Sequence, residues 1–376
     1  MIKRAFQITL CMLILGTVWT STKYSIAAPT TALTLPPGEN NPRNSEGDFI
    51  HLADGRLMFV YTRFTDGAAD HSAASLVARF SDDDGKTWTA ADTEIVTNEG
   101  GFNVMSVSLL RLQNGQIALF YARKNSHTDC RPIMRTSDNE GKSWSEPVEC
   151  ITDQIGYYVL NNDRVIQMRN GRLLLPLALH RKLEDEKADW KGHILCYYSD
   201  NDGQTWQRSE TTMKASDEDG KRLVAQEPGI VELNDSSLRM FIRSDAGNQL
   251  RSESHDGGVT WSAMQPSNII SPVSPASIER IPQTGDLLLV WNNHHSVDDA
   301  HRGKRTPLTV AISKDDGETW EKVKTLADDP NGWYCYTAIE FSGDHVLLGH
   351  CAGDHQQGGG LNTSKITRFS LGWLYK

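Results

Sequence analysis

Six short apolar runs recur along this chain, each introduced by a turn residue. They open as Gly55-Arg56-Leu57-Met58-Phe59, Gly115-Gln116-Ile117-Ala118-Leu119, Gly171-Arg172-Leu173-Leu174-Leu175, Ser237-Leu238-Arg239-Met240-Phe241, Gly285-Asp286-Leu287-Leu288-Leu289 and Asp344-His345-Val346-Leu347-Leu348. Runs this short, bounded by turn formers, predict buried strands rather than helices. No long stretch carries the 3.6-residue period of a helix. One apolar run differs from the rest. It extends from Phe6 to Trp19 behind Lys3 and Arg4, and small residues follow at Ser25-Ile26-Ala27. That order, in a run too short to span a bilayer comfortably, predicts a secretory signal over residues 1–27. The expected location is secreted or periplasmic, with no membrane attachment after signal cleavage. Cys11 follows Thr9-Leu10, a poor match to a lipidation site.

A polar pattern keeps step with the apolar one. It reads Ser81-Asp82-Asp83-Asp84-Gly85-Lys86-Thr87-Trp88, Ser137-Asp138-Asn139-Glu140-Gly141-Lys142-Ser143-Trp144, Ser199-Asp200-Asn201-Asp202-Gly203-Gln204-Thr205-Trp206, Ser254-His255-Asp256-Gly257-Gly258-Val259-Thr260-Trp261 and Ser313-Lys314-Asp315-Asp316-Gly317-Glu318-Thr319-Trp320. From starts at 81, 137, 199, 254 and 313, successive turns are 56, 62, 55 and 59 residues apart. The Asp or Asn can bond backbone N–H groups across a tight hairpin, Gly takes positive φ, and Trp packs into a neighbouring sheet. Five of the ten tryptophans occupy this one position, so the pattern is not chance. The turns are read as structural rather than as calcium or ligand sites. Five boxed turns and six apolar runs, at about 58 residues per unit, predict an all-β, six-bladed β-propeller of four-stranded antiparallel blades. An N-terminal strand would close the last blade. No linker divides residues 28–376, so a single domain and a monomer are expected.

Composition narrows the partners. Loss of residues 1–27 removes Lys3, Arg4 and Lys23 and takes the formal net charge from −10 to −13. That balance excludes nucleic acid, which needs a basic face. An anionic ligand would need cations gathered locally. Beyond the signal lie Cys130, Cys150, Cys196, Cys335 and Cys351, with no C-x-x-C spacing, so a zinc site is not expected. Cys130 and Cys150 flank one boxed turn and could pair in an exported protein. The odd count leaves at least one buried thiol.

The boxed turn resembles the Asp-box, or BNR repeat, of the sialidase superfamily, and the resemblance covers essentially all of residues 40–376. Non-enzymatic propellers carry the box too, so activity has to be read from a site. The resemblance implies three arginines for a sugar carboxylate, a Tyr/Glu pair and an acidic Asp. The physics accounts for each. Guanidinium groups are forked, permanent donors suited to a carboxylate on the anomeric carbon. A carboxylate nucleophile would meet like charge there, whereas a tyrosine stays neutral until a glutamate takes its proton.

Gln226-Glu227-Pro228-Gly229 followed by Met240-Phe241-Ile242-Arg243 looks like the segment in which the catalytic Glu precedes a triad Arg by sixteen residues. This implies Glu227 as base and Arg243 as carboxylate ligand. Tyr334-Cys335-Tyr336-Thr337-Ala338 resembles the nucleophile segment, with Tyr336 at the key position and Tyr334 as the competing tyrosine. Asp70 lies eleven residues before Ser81 and implies the acid, with Asp66 competing and Arg63 lining the same pocket. Arg305, or nearby Arg302, falls where the third arginine belongs. Arg43 holds the first arginine's place, but its neighbours are Asn44-Ser45-Glu46 in place of Ile-Pro. The late Glu that braces this arginine in the family is missing from Leu348-Gly349-His350-Cys351-Ala352-Gly353-Asp354, and Glu46 or Asp354 is the acid at hand to replace it.

Asn162-Asp163-Arg164 is either a funnel lining or a turn network, and His294-His295 reads as a solvent loop or pocket rim rather than a metal pair. The implied activity is release of terminal α-linked sialic acid, or a related 2-keto sugar acid, from glycans with retention and without cofactor or metal. The substituted surroundings of Arg43 keep two other readings open: a propeller hydrolase or lyase acting on uronate glycans, and a non-catalytic glycan-binding propeller.

Overall fold

In a computed structural model of the chain, residues 26–295 and 301–376 are described. The expected signal, residues 1–27, therefore falls outside the described residues but for its last two.

The chain is all-β in its architecture. After β1 (Thr30–Leu35) comes a first meander, β2 (Arg43–His51), β3 (Leu57–Phe64), β4 (Ala74–Ser81) and β5 (Thr93–Val96). The second is β6 (Asn103–Arg111), β7 (Ile117–Ser126), β8 (Asp129–Ser137) and β9 (Val148–Glu149). The third has its innermost strand split into β10 (Gly156–Val159) and β11 (Ile166–Gln167), both on β12 (Leu173–Lys182), which pairs with β13 (His193–Ser199) and then β14 (Gln207–Arg208). The fourth is β15 (Ala225–Glu232), β16 (Leu238–Ser244), β17 (Asn248–Ser254) and β18 (Gln265–Ile270). The fifth is β19 (Ser277–Arg280), β20 (Leu287–Trp291), β21 (Leu308–Ser313) and β22 (Glu321–Ala327). The last is β23 (Gly332–Ser342), β24 (His345–Asp354) and β25 (Ser364–Ser370), with β1 added on the outer edge.

The pattern predicts six separate sheets, and hydrogen bonding among the described residues gives five. The second and third meanders merge into one nine-stranded sheet, because Tyr157 of β10 lies opposite Cys130 of β8 in a single parallel pair. All six apolar runs form the second strand of a meander. Those strands are buried along most of their length, which accounts for their unbroken Leu, Phe and Val content.

The boxed turns join third strands to fourth. In each, the serine hydroxyl accepts the glycine N–H, at 2.7–2.9 Å. The Asp or Asn then accepts the N–H four residues on. Gly85 shows why glycine is needed. Its φ is +75°, and a Cβ there would meet the side chain of Leu347, on β24 of the last meander. Gly203 likewise faces Met134 of the meander before its own. Each box glycine so rests against the preceding meander, and the first rests on the last.

Cys130, Cys150, Cys196, Cys335 and Cys351 are all free, which corrects the suggested Cys130–Cys150 bridge. The two thiols belong to different apolar clusters. Cys130 packs beside Ala122 and Tyr157, and Cys150 beside Ile151 and Tyr158.

Candidate active site

The innermost strands carry one repeated irregularity. Register shifts interrupt the pairing between Ser45 and Asp48, Met105 and Ser108, Gln226 and Gly229, and Cys335 and Ala338. Each bulge holds a non-glycine residue with left-handed backbone: Glu46 at φ 52°, Ser106 at 63°, Glu227 at 47° and Tyr336 at 55°. Asp163, in the gap between β10 and β11, has φ 54°. Such conformations cost about 1–3 kcal/mol each and gather at functional sites, where a bulge re-aims a side chain.

Four of the five left-handed residues, Glu46, Ser106, Glu227 and Tyr336, line one cavity of about 350 Å³, together with Asp70, Lys124, Arg243 and Arg305. Its apolar wall includes Met105, Val159, Tyr157 and the exposed Trp190. Of the residues expected there, Asp70, Glu227, Arg243, Arg305 and Tyr336 thus come from four of the meanders. Asp66, Tyr334 and Arg302 are not among the lining residues. Tyr334 packs instead in the core of the last meander.

Glu227 is the hub. Its Oε1 accepts from Tyr336 Oη at 3.2 Å and lies 2.8 Å from Arg243 Nη1. Arg305 sets its guanidinium 5.1 Å from the Trp333 ring centre and 5.3 Å from that of Tyr336. Arg305 Nη1, Arg243 Nε and Glu227 Oε2 are buried without hydrogen-bond partners among the described residues. Buried donors and acceptors left open in this way cost free energy that a bound ligand can recover.

Charge states follow from the surroundings. Burial tends to raise the Glu227 pKa, but Arg243 and Arg305 outweigh it and hold the carboxyl below its ordinary range. Burial pushes the Tyr336 phenol well up, and the charge of Glu227 adds to this. The resting pair is therefore a carboxylate accepting from a neutral phenol.

Arg43 is 2% exposed and sits 4.4 Å from the Phe64 ring centre. It lies beside the cavity, paired with Glu46 at 3.0 Å and Asp70 at 2.5 Å. Glu46 is thus the acid that braces Arg43, while Asp354 caps a short 3-10 turn by accepting from Gln356 N. Glu46 and Ser106 were not singled out as lining residues. Their signal is the small residue two positions on, Ser108 or, for Glu46, the Gly47 next to it, at the place that Pro228-Gly229 and Thr337-Ala338 hold in the other bulges.

Arg63 stands apart from the cavity, which corrects its expected place in the lining. It is opposite Asn44 in the β2–β3 pair, one residue out of phase with Phe64, and its Nε faces Asp92 at 3.6 Å. Side chains alternate along a strand, so Phe64 takes the cavity side and Arg63 the other.

Asn162-Asp163-Arg164 forms a network behind the bulges. Asn162 Nδ2 donates to Gly47 O and Tyr336 O at 2.9 and 3.1 Å, and Arg164 Nη2 donates to Ala276 O at 2.7 Å. Asp163 Oδ2 accepts from Ile339 N at 3.1 Å. His294 bonds Lys304 O through Nε2 at 3.2 Å and holds a loop.

The profile of the BNR repeat-like domain matches residues 91–348. An anhydrosialidase of Macrobdella decora is 24% identical over 76% of this chain and 38% of its own length. A sialidase of Bacteroides fragilis is 26% identical over 54% of this chain and 36% of its own length. The chain thus spans less than two fifths of these curated relatives. Among solved structures, Trypanosoma rangeli sialidase in complex with the inhibitor DANA is 17% identical, with a TM-score of 0.68 over 91% of this chain and 58% of that one. At that identity the likeness establishes the fold.

Proposed function

Because this chain belongs to the BNR-repeat sialidase superfamily, we propose that it is an exported exo-sialidase releasing terminal α-linked sialic acid, or a related 2-keto sugar acid, from glycans. The observation that carries this reading is the shared contact of Tyr336 and Arg243 on Glu227 Oε1, at 3.2 and 2.8 Å, in a cavity that the open Nη1 of Arg305 also lines.

In the proposed reaction Arg243, Arg305 and Arg43 hold the sugar carboxylate. Glu227 takes the Tyr336 proton as Tyr336 Oη bonds to the anomeric carbon. The glycosidic C–O bond breaks, and Asp70 gives its proton to the leaving oxygen. Water then attacks the anomeric carbon, giving a proton to Asp70, while the bond to Tyr336 Oη breaks and Glu227 returns its proton to the tyrosine, with net retention. The opposed shifts of Glu227 and Tyr336 support the division into base and nucleophile. Tyrosine also avoids setting a second carboxylate against that of the substrate.

Residues 28–376 are proposed to form one closed six-bladed propeller, acting as a monomer. The packing of the first box glycine, Gly85, on Leu347 of the last meander supports the closure.

The test is turnover of an aryl sialoside by the mature chain, with the first-formed anomer and any anhydro product identified by NMR. Tyr336→Phe should abolish release. Wild-type release from uronate polymers alone, or binding of sialoglycans without turnover, would overturn the reading.

A further inference from the structure

Both terminal nitrogens of Arg43 are already engaged, while its buried Nε has no hydrogen-bond partner among the described residues. Its Nη1 donates to Asp70 Oδ1 at 2.5 Å and to Ala68 O at 3.2 Å. Its Nη2 donates to Glu46 Oε1 at 3.0 Å and to Ser45 Oγ at 3.3 Å. A carboxylate entering the pocket can therefore reach Arg43 Nη1 or Nη2 only by taking the place of a protein partner.

The two acids differ in how firmly they are held. Glu46 is 6% exposed, and its other oxygen accepts from the Ser106 hydroxyl. Asp70 has a side chain 58% exposed, and its carboxylate is held by Arg43 alone among the described residues. The Asp70 backbone, by contrast, is pinned. Its carbonyl accepts from Asn103 Nδ2 at 2.9 Å and Lys124 Nζ at 3.0 Å. Asp70 is thus the partner that can swing away while its backbone stays in place.

We propose that Arg43 exchanges partners on binding: the ligand carboxylate displaces Asp70 from Arg43 Nη1, and the freed Asp70 takes from solvent the proton that it later gives to the leaving oxygen. Glu46 is the positioning residue, holding Nη2 so that the guanidinium keeps its orientation during the exchange. This rests on the reading of the site as a sialidase site.

The charges around Asp70 favour the step. Arg43 and Glu46 face it from β2, Lys124 from β7, Tyr157 from β10, and His71 follows it in its own loop. Burial tends to raise the Asp70 pKa, yet Arg43 and Lys124 hold it below the ordinary range. That charge state suits an ion-pair partner and not a general acid. Removing the Arg43 contact and bringing in a second carboxylate both favour the neutral acid. Binding thus converts Asp70 from an ion-pair partner of Arg43 into a proton donor.

The test is calorimetric titration of the mature chain with DANA, at a mildly acidic pH just above the ordinary aspartate range. Buffers of different ionisation enthalpy report the protons exchanged. The expected result is uptake of up to about one proton per DANA bound, lost in Asp70→Asn while binding persists. DANA binding without proton uptake overturns the exchange and leaves the sialidase reading standing. Uptake undiminished in Asp70→Asn also overturns it. Absence of DANA binding to the folded wild type overturns the reading and the inference together.

Discussion

Glu227 and Tyr336, 109 positions apart in the chain, meet through a 3.2 Å hydrogen bond from two bulges with the same left-handed backbone, φ 47° and 55°. Neither residue reaches the cavity from a regular strand position. The proposed chemistry follows from this meeting, and so do the first two tests below.

Tyr336→Phe removes the hydroxyl and little else. Release of an aryl sialoside should fall by at least about a thousandfold, while DANA affinity stays within about threefold. Glu227→Gln should lower kcat by about 10²–10⁴-fold, as loss of a positioned base does. Steady-state kinetics beside calorimetric DANA binding checks both. Loss of binding in parallel with turnover would point to a structural role for the pair.

The pH profile carries a sign. Glu227 acts as a base only when ionised, and Arg243 and Arg305 hold it below the ordinary range against its burial. The acid limb of kcat/KM should therefore lie below the ordinary glutamate range. Arg243→Met removes the larger of these two influences, so the limb should move to higher pH. The same depressed pKa stabilises the fold above the unfolded pKa and is lost as pH falls through the folded one. An acid limb unmoved in Arg243→Met would remove Glu227 as the titrating base.

Arg305 and Arg63 should behave oppositely. Arg305→Lys keeps the charge but loses the fork stacked 5.3 Å from the centre of the Tyr336 ring. KM should rise about tenfold or more. Arg63 faces Asp92 on the other side of its strand. Arg63→Ala should leave kcat/KM within about threefold. A large loss there would return Arg63 to the cavity.

Two glycines separate backbone strain from packing. Gly55 at φ +89° has open space around it, while Gly85 at φ +75° has Leu347 where a Cβ would go. Gly55→Ala should cost about 1–2 kcal/mol, from the left-handed backbone alone. Gly85→Ala should cost about 1–3 kcal/mol more, from overpacking. Urea unfolding midpoints measure the difference. Equal losses would remove Leu347 as the reason for a glycine in the box.

Much of the fold was legible because its signals are local. A boxed turn closes its hydrogen bonds within eight residues, from Ser313 to Trp320 for example, so its sequence carries its own structure. A second strand buried on both faces must be apolar throughout, and Leu173 to Leu177 shows it. The edges of the sheets were less legible. The junction that merges two meanders is one pair, Tyr157 opposite Cys130, and no local pattern announces it.

The candidate site divides in the same way. Glu227, Arg243, Tyr336, Asp70 and Arg305 were reached through short motifs and their offsets from the repeat. Arg63 was placed in the cavity because offset alone does not say which face of β3 a side chain takes. Register decides that, and register is set by pairing with β2 across a bulge. The sequence left Glu46 and Asp354 both at hand to brace Arg43. In the structure Glu46 is the brace, since the β2 bulge turns it back onto Nη2.

By itself, the sequence determined an all-β chain of repeated meanders and the turn that punctuates them, because burial period and turn hydrogen bonds act over a few residues. The tertiary structure decided which side chains share a cavity, which acid Arg43 holds, and that Asp70 lies ionised against it. Those outcomes depend on distances between strands far apart in the chain and on charges brought together only after the meanders pack.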